Sequence, residues 1–218
     1  MILFEDLLQI KDKLYSAVIC DALDALGYRN QSPRIPFHAY TGMDRLVGRC
    51  KNTLWADVFH KDPNPYDLEL KAVDNCKPGD VLVAAASGSG RSGIWGELLS
   101  TAARNSGCSG ALIHGAVRDI AKMREMEFPV FATAKCMYDS LDRQRIIDID
   151  IPVEIGHVLF SPGDLIFCDE DGIVVIPRKV EDEIIENALK KAAAENITRD
   201  AIKKGMKAEA AYKKYGVL

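Results

Sequence analysis

The stretch 107–139 constrains the fold more than any other part of the chain, because it has the pattern of a β-α-β unit. Its apolar run 111–113 predicts a buried strand that ends at 114–115. A helix is expected over 120–127, and the apolar residues 129–132 predict the next strand. Two strands joined through a helix are typical of an α/β fold, so we expect a sheet with helices packed outside it.

Two charged residues, Arg118 and Asp119, follow the first strand of this unit. Ligands of open α/β sheets collect beyond the carboxyl ends of the strands, which is where this pair is expected. An adjacent cation and carboxylate at that position can hold an anionic substrate and a metal ion together. For the dipeptide alone, a surface salt bridge is the competing explanation, since most exposed charge pairs contribute little.

The other elements follow from apolar periodicity and from turn residues. Ser16 is expected to cap the second helix, and Gly27 to end it. Strands are expected over 47–56, 81–85, 146–155, 165–168 and 173–176, and helices over 4–10, 16–26, 94–105, 180–196 and 199–215.

A glycine-rich loop at 88–93 fits the pattern G-x-G-x-x-G and is expected between a strand and a helix. The dinucleotide-binding fingerprint also requires an acid about 20 residues later, at the end of the next strand. That strand ends at 113–114 without an acid, so nicotinamide binding is disfavoured. Small residues and a helix start nevertheless favour an anion, and a carboxylate would serve as well as a pyrophosphate.

Several single residues have both a functional and a structural explanation. Glu97, in the first turn of the helix after this loop, can reach a metal-bound water or simply interact with the helix dipole. Lys135 can form a Schiff base, but a solvated lysine is favoured because nothing marks it as desolvated. His114 either faces a ligand or is a satisfied core histidine. Glu195 is expected to be solvated unless a partner subunit covers it.

The charge balance limits the possible partners. A net charge of −4 gives no basic footprint for nucleic acid or an anionic membrane. No apolar run approaches the ~18 residues of a membrane span, and the acidic start does not fit a secretory signal. We therefore expect a cytoplasmic protein. The six cysteines form no CxxC pair, so free thiols are expected.

An ordered set of motifs resembles the RraA-like family. This family includes the metal-dependent 4-hydroxy-4-methyl-2-oxoglutarate aldolases and the regulator of ribonuclease E activity, and the similarity covers almost the whole chain. The motifs are SAVICDALDALG at 16–27, VGR at 47–49, KPGDVLV at 77–83, WGEL at 95–98, GAVRD at 115–119, FPVF at 128–131, PGDLIFCDEDGIVVIP at 162–177 and the terminal segment 195–205.

The resemblance implies a compact mixed β-sheet core of the swivelling β/β/α, αββα-sandwich type, with outer helices and a helical C-terminal arm. We expect one domain over 1–218, with N-terminal helices at 1–27, an α/β core at 28–177 and the arm at 178–218. It also implies a homotrimer or homohexamer with sites between subunits.

The aldolase branch of the family implies roles for residues of these motifs. Asp119 would bind Mg²⁺ or Mn²⁺ directly, and Arg118 would bind the keto acid as a catalytic residue. Glu97, the second catalytic candidate, would orient metal waters, and Glu195 of a neighbouring subunit would complete the water shell. Backbone amides at the helix start would hold the substrate carboxylate, namely those of Gly96, Glu97, Leu98 and Leu99.

The implied activity is that of a class II, metal-dependent lyase. It would cleave a 4-hydroxy-2-oxo acid by a retro-aldol reaction and release pyruvate; oxaloacetate decarboxylation passes through the same enolate. The alternative is a non-catalytic, protein-binding regulator of the ribonuclease E type. That regulator lacks the metal-binding Asp, so Asp119 favours the enzyme. The chain departs from the aldolases at His114, where they usually carry Asp.

Overall fold

A mixed sheet of nine strands forms the centre of residues 4–217, the part of the chain that the computed structural model describes. The helices are α1 Phe4–Lys13, α2 Ser16–Ala25, α3 Asp67–Asp74, α4 Glu97–Asn105, α5 Ile120–Glu125, α6 Glu181–Lys203 and α7 Ala208–Tyr215. The strands are β1 His38–Ala39, β2 Leu46–Asp57, β3 Asp80–Ala85, β4 Gly93–Trp95, β5 Gly110–Val117, β6 Val130–Lys135, β7 Gln144–Ile149, β8 Val153–Ile155, β9 Val158–Phe160, β10 Leu165–Cys168 and β11 Ile173–Ile176.

The sheet has the order β1-β6-β5-β3-β2-β10-β11, with β4 paired to β5 and β7 paired to β2. Strands β2, β3, β5 and β6 run parallel, whereas β1, β7, β10 and β11 pair antiparallel. The β-α-β unit expected from the stretch 107–139 is β5-α5-β6, and its two strands are parallel neighbours. The predicted α/β fold with a mixed sheet and a helical C-terminal arm is confirmed.

Two Pro-Gly-Asp turns place β3 and β10 on either side of β2. Gly79 and Gly163 adopt similar left-handed conformations, with φ of 86° and 84°, which glycine reaches without steric cost. The aspartates that follow them each accept a hydrogen bond from the backbone N–H three residues earlier. A Cβ atom at Gly48 of β2 would lie 2.4 Å from the Gly79 carbonyl oxygen, so only glycine permits this approach.

Apolar residues fill both faces of the sheet. One face packs against α3, α4 and α5 through a cluster that includes Trp95, Ile113 and Met123. At the β10–β11 end, a second cluster joins the sheet to α1, α2 and α6. Helix α6 of the C-terminal arm is therefore anchored on helix α2. No helix within residues 4–217 has the length and apolar content needed to cross a bilayer, and the six cysteines are free thiols, as expected.

The structure corrects the expected course of the chain around the glycine-rich loop. Residues Ile94 and Trp95, expected in a helix, belong to the short strand β4, which pairs with the far end of β5. The strand expected to end at 114–115 continues to Val117 because it has this additional neighbour. The helix begins only at Glu97. A strand therefore separates the loop from the helix, which removes the local context of a dinucleotide-binding loop.

Two further boundaries and one helix cap differ from the prediction. The expected strand 146–155 is two strands, β7 and β8, with Asp150 between them in the left-handed region at φ 58°. The last two helices are divided at Gly205, with φ 96°, and not at 197–198, where no residue breaks the helix. Ser16 does not cap its own helix; its hydroxyl and N–H both donate to the Asp169 carboxylate. Residues 1–3 and 218 of the predicted terminal segments lie outside the described residues.

Candidate functional site

A cleft of about 280 Å³ opens between α3, β4 and the start of α4. A larger depression of about 630 Å³ lies between α6 and α7, but its charged residues Asp200 and Lys204 are exposed, and none of the predicted site residues lines it. The smaller cleft gathers most of the residues predicted for the site. It is lined by Tyr66, Glu69, Leu70, Gly93, Ile94, Trp95, Gly96, Leu98, Leu99, Arg118, Asp119, Asp139 and Ser140.

Asp119 lies at the junction of β5 and α5 and meets the start of α4. Its backbone is left-handed, with φ 56°, a conformation that aspartate tolerates better than most residues. Its Oδ2 atom accepts the N–H of Glu97 at 3.3 Å. A Cβ atom on Gly96 would lie 2.5 Å from the same oxygen. Glycine at position 96 therefore allows the Asp119 carboxylate to reach the helix start, where its side chain remains 44% exposed.

Arg118 lies between two carboxylates at the floor of the cleft. Its backbone N–H donates to the carbonyl of Trp95 at 2.9 Å, which fixes the residue to β4. Its Nε atom is 3.9 Å from Asp119 Oδ2, and its Nη2 atom donates to Asp139 Oδ2 at 2.8 Å. The predicted pair Arg118–Asp119 is therefore part of a cleft and not an isolated surface salt bridge.

Asp139 is a member of the cleft that the sequence analysis did not single out. Besides Arg118, it accepts hydrogen bonds from the Tyr66 hydroxyl at 2.9 Å and the Leu141 N–H at 2.8 Å. Burial acts to raise the pKa of Asp139, but these hydrogen bonds and the Arg118 charge together lower it below its ordinary value. Asp139 is therefore ionised at neutral pH and holds the guanidinium in place.

Glu69 is the second residue that the sequence analysis missed. Its side chain lies on the buried face of α3 with Ala72 and Val73, and only 8% of the residue is exposed. Burial, and then the Asp139 charge, raise the pKa of Glu69 to about 8, although Arg118 acts in the opposite direction. A signal existed in the sequence, because the positions three and four residues later are both apolar and place this acid on the core face.

Glu97 and Glu195, both predicted to act through water, lie in different parts of the chain. Glu97 stands half-buried in the first turn of α4, where its carboxylate accepts the Thr101 hydroxyl at 3.0 Å. Glu195 belongs to α6, accepts a hydrogen bond from the Tyr15 hydroxyl and lies 3.8 Å from Arg199. The chain thus brings Glu97 beside Asp119 but does not bring Glu195 to the cleft, and a contribution from a neighbouring subunit stays a prediction.

His114 and Lys135 do not line the cleft. The His114 ring is half-buried beside the Phe37 ring, with 6.3 Å between centroids, and burial lowers its pKa. Its carbonyl accepts the N–H groups of Ala86 and Gly88, which ties the glycine-rich loop to β5. Lys135 is exposed at the end of β6, where its amine lies 5.5 Å from the Tyr40 ring. This exposure agrees with a solvated lysine and gives no support to a Schiff base.

The donors at the cleft suit a hard divalent ion. Within residues 4–217, no three side chains of His, Cys, Asp or Glu converge as a preformed metal cage. The side chains here that could ligate an ion are two carboxylates, that of Asp119 and that of Glu97 in the first turn of α4. Carboxylate oxygen combined with water is the ligand set of Mg²⁺ and Mn²⁺, whereas softer metals prefer thiolate or imidazole. The residues present therefore fit an ion that keeps most of its waters.

Two known proteins illustrate the relatives that this chain resembles in sequence. Protein DlpA of Legionella pneumophila is 31% identical over 219 residues, which cover 96% of this chain but 34% of DlpA. The chain thus spans about a third of the length of that relative. A protein of Ectopseudomonas mendocina named "Putative 4-hydroxy-4-methyl-2-oxoglutarate aldolase" is 33% identical over 160 residues, which cover 73% of this chain and 92% of the relative.

Solved structures share the fold over most of the chain. An uncharacterized protein from Pseudomonas syringae pv. tomato superposes with a TM-score of 0.85 at 26% identity, over 99% of this chain and 96% of that one. Streptomyces coelicolor RraAS2, described as an unusual member of the RNase ES inhibitor RraA protein family, gives 0.76 at 29% identity, over 89% and 96%. The family model for RraA-like proteins, described as Aldolase/RraA, matches residues 16–175, and this chain therefore belongs to the RraA-like family.

Proposed function

We propose that this protein is a divalent-metal-dependent lyase that cleaves a 4-hydroxy-2-oxo acid by a retro-aldol reaction and releases pyruvate. The observation that carries the proposal is the meeting of three groups at one cleft: the Asp119 carboxylate, the Arg118 guanidinium and the start of α4. Relatives named as aldolases support the same reaction class.

The start of α4 is proposed to bind the substrate carboxylate. The first N–H groups of a helix have no acceptors within it, and the helix dipole favours an anion there. The N–H of Glu97 donates to Asp119, so those of Leu98 and Leu99 are the main donors toward a ligand, beside the glycine at position 96. The side chain of Leu98 is largely exposed and leaves this end of the helix accessible.

Asp119 is proposed to hold Mg²⁺ or Mn²⁺ directly, with Glu97 and a neighbouring subunit's glutamate at position 195 acting through water. When bound, the ion would stabilise the negative charge that develops on the 2-oxo oxygen, an effect of several kcal/mol. Arg118 would donate to the same oxygen. The ion pair with Asp139 at 2.8 Å holds the Arg118 guanidinium in place, so the side chain needs little reorganisation when the substrate binds. Oxaloacetate decarboxylation is expected as a second activity because it forms the same enolate.

The competing function is a non-catalytic regulator that binds a ribonuclease. It is supported by solved relatives described as RraA proteins that inhibit RNase ES or RNA processing. Under that function the Arg118–Asp139 pair would have only a structural role, and the cleft would have no need of a metal.

Pyruvate release across a panel of 4-hydroxy-2-oxo acids and oxaloacetate separates the two functions. The assay couples pyruvate to lactate dehydrogenase and compares protein treated with EDTA with the same protein supplied with Mg²⁺ or Mn²⁺. A suitable control is Glu125→Gln, which changes a 68% exposed acid on α5. We expect metal-dependent turnover that EDTA removes and that the control retains. Absence of turnover with every 2-oxo acid in the presence of metal would favour the regulator.

A further inference from the structure

Two buried cysteines lie at the far ends of the helices that wall the cleft. Cys76 is two positions past the end of α3, and Cys108 is three positions past the end of α4. Both helices begin at the cleft, where Tyr66 and Gly96 directly precede them, and they pack against each other. The two cysteines therefore mark the end of this helix pair that is opposite the cleft, and they are only 7% and 5% exposed.

The chain holds these two cysteines side by side. The Gly79 N–H donates to the carbonyl of Gly107 at 3.1 Å. A Cβ atom on Gly107 would lie 2.9 Å from the Pro78 nitrogen, so the two segments are in direct contact. The thiols of Cys76 and Cys108 share a side-chain hydrogen bond. Two sulfur atoms that already contact each other need only a short approach to reach the ~2.05 Å of a disulfide bond.

The two thiols differ in how readily they lose a proton. The hydrogen bond from Cys76, and then backbone hydrogen bonds at Gly110 and Leu82, lower the pKa of Cys108 against the opposing effect of burial. The same bond between the thiols, and then burial, raise the pKa of Cys76. Because the thiolate is the nucleophile, Cys108 is the more reactive member, and Cys76 is placed to attack it once it is oxidised.

The surroundings of the pair determine which oxidant can reach it. The small exposed fractions of Cys76 and Cys108 favour a molecule of the size of hydrogen peroxide over a bulky disulfide. Both residues also follow helix ends, which fray and open locally more readily than helix interiors. A small oxidant therefore has access without unfolding of the core.

We propose that Cys76 and Cys108 form a reversible oxidation site, at which a small peroxide produces a disulfide that joins α3 to α4. The Cys108 thiolate attacks a peroxide oxygen, so an S–O bond forms, the O–O bond breaks, and the departing hydroxide takes up the Cys108 proton as water. The Cys76 sulfur then attacks the Cys108 sulfur, the S–O bond breaks, and the second hydroxide leaves as water with the Cys76 proton. The two thiols lose two electrons, which the peroxide gains, and a thiol reductant reverses the change by exchange.

The disulfide would fix the far ends of both helices that wall the cleft. It would close the loop 76–108, and a crosslink of this kind stabilises a protein mainly by restricting the unfolded chain. The stability of the helix pair would then depend on redox conditions, whether or not the cleft is catalytic.

Peptide mapping of the full chain after peroxide treatment tests the proposal. The reduced protein is treated with a slight excess of hydrogen peroxide, denatured, alkylated with iodoacetamide and digested with trypsin. Peptides 72–91 and 105–118 each contain one of the two cysteines, because trypsin does not cut before Pro78. We expect these peptides to be linked, the intact chain to carry two fewer alkyl groups, and dithiothreitol to reverse both changes. The Tm should rise by about 5 °C on oxidation.

Three variants separate a disulfide from general thiol oxidation. Cys76→Ala should gain oxygen on Cys108 but form no link and show no rise in Tm, and Cys108→Ala should form no link either. Cys136→Ala removes a more exposed thiol and should keep both the link and the rise in Tm. Oxidation of wild-type Cys136 while peptides 72–91 and 105–118 stay unlinked would overturn the proposal, as would a link that leaves the Tm unchanged. The wild-type result alone can do so, even if a variant fails to fold.

Discussion

At the scale of single residues, Arg118 is held by neighbours on both sides and should therefore be sensitive to a change of shape. Its guanidinium contacts Asp119 and Asp139 from different nitrogen atoms, and a lysine cannot reproduce this planar arrangement. Arg118→Lys should bind metal normally but lose about 100-fold in kcat/KM, the order found when one donor to a developing oxyanion is removed. The measurement is steady-state pyruvate release, with Arg104→Lys on the exposed side of α4 as the control. Equal activity of the two variants would contradict the role of Arg118.

Glu69 gives stability a definite pH dependence. Its pKa of about 8 in the folded protein lies above the ordinary value of 4.5, so the folded state retains a proton that the unfolded chain releases. This proton's contribution to the free energy of unfolding is fully present below the pKa of Glu69 in the unfolded chain. It is lost as pH rises through the pKa of Glu69 in the folded protein. Glu69→Gln cannot ionise, and its free energy of unfolding relative to wild type should increase by about 3 kcal/mol between about pH 6 and about pH 9. Urea denaturation of both proteins at the two pH values measures this change. If the difference in free energy of unfolding between the variant and wild type were the same at both pH values, the raised pKa of Glu69 would be contradicted.

At the scale of elements, the corner between β4 and α4 positions Asp119. The φ of Gly96 is −157°, an extended value that any residue adopts, so the requirement for glycine is one of space. Gly96→Ala should displace the Asp119 carboxylate, weaken metal binding and lower activity about 10-fold or more while the fold stays intact. Gly90→Ala, in open space on the preceding loop, is the matched control. Mn²⁺ titration measures metal binding, and circular dichroism checks that the fold is intact. Unchanged Mn²⁺ affinity in Gly96→Ala would count against the role of Gly96 in positioning Asp119.

Elements with strong local patterns were predictable from the sequence, and those fixed by distant partners were not. The apolar runs of β5, β10 and β11 and the helix between β5 and β6 were placed within a few residues. Strand β4 was missed because Ile94 and Trp95 suit a helix start as well as a strand, and only pairing with the end of β5 decides between them. Asp139 was missed for a similar reason. Its hydrogen bonds to Arg118 and Tyr66 connect residues that lie 21 and 73 positions apart, and no local sequence pattern predicts such contacts.

At the scale of the whole molecule, the proposed site needs more than one chain. Glu195 is bonded to Tyr15 on the helical side of the fold and does not reach the cleft of its own chain. A homotrimer or homohexamer with sites between subunits, as the family resemblance implies, would bring a second chain's α6 to each cleft. The resemblance suggested this arrangement, since nothing in the local sequence of α6 distinguishes Glu195 from a solvated helix residue.

Subunit mixing tests the shared site. Asp119→Asn and Glu195→Gln should each be nearly inactive alone. When the two are co-expressed or refolded together, some sites combine an intact Asp119 with an intact Glu195 from different chains, and activity should return to a measurable fraction of wild type. Light scattering of each variant checks that assembly is unchanged. Activity no greater than the sum of the two separate variants, in assemblies shown to be mixed, would mean that Glu195 does not act across subunits.

Metal-dependent exchange of the pyruvate methyl protons tests the central claim most directly, because it reports enolate formation without requiring the natural substrate. The wild-type protein should exchange these protons in D₂O with Mg²⁺ or Mn²⁺ and lose the activity in EDTA. Asp119→Asn should fold normally, bind metal weakly and recover only part of the exchange in excess Mg²⁺, since it keeps the size of the side chain but loses its charge. Exchange no faster than in buffer, or an Asp119→Asn variant with the wild-type metal response, would contradict the account.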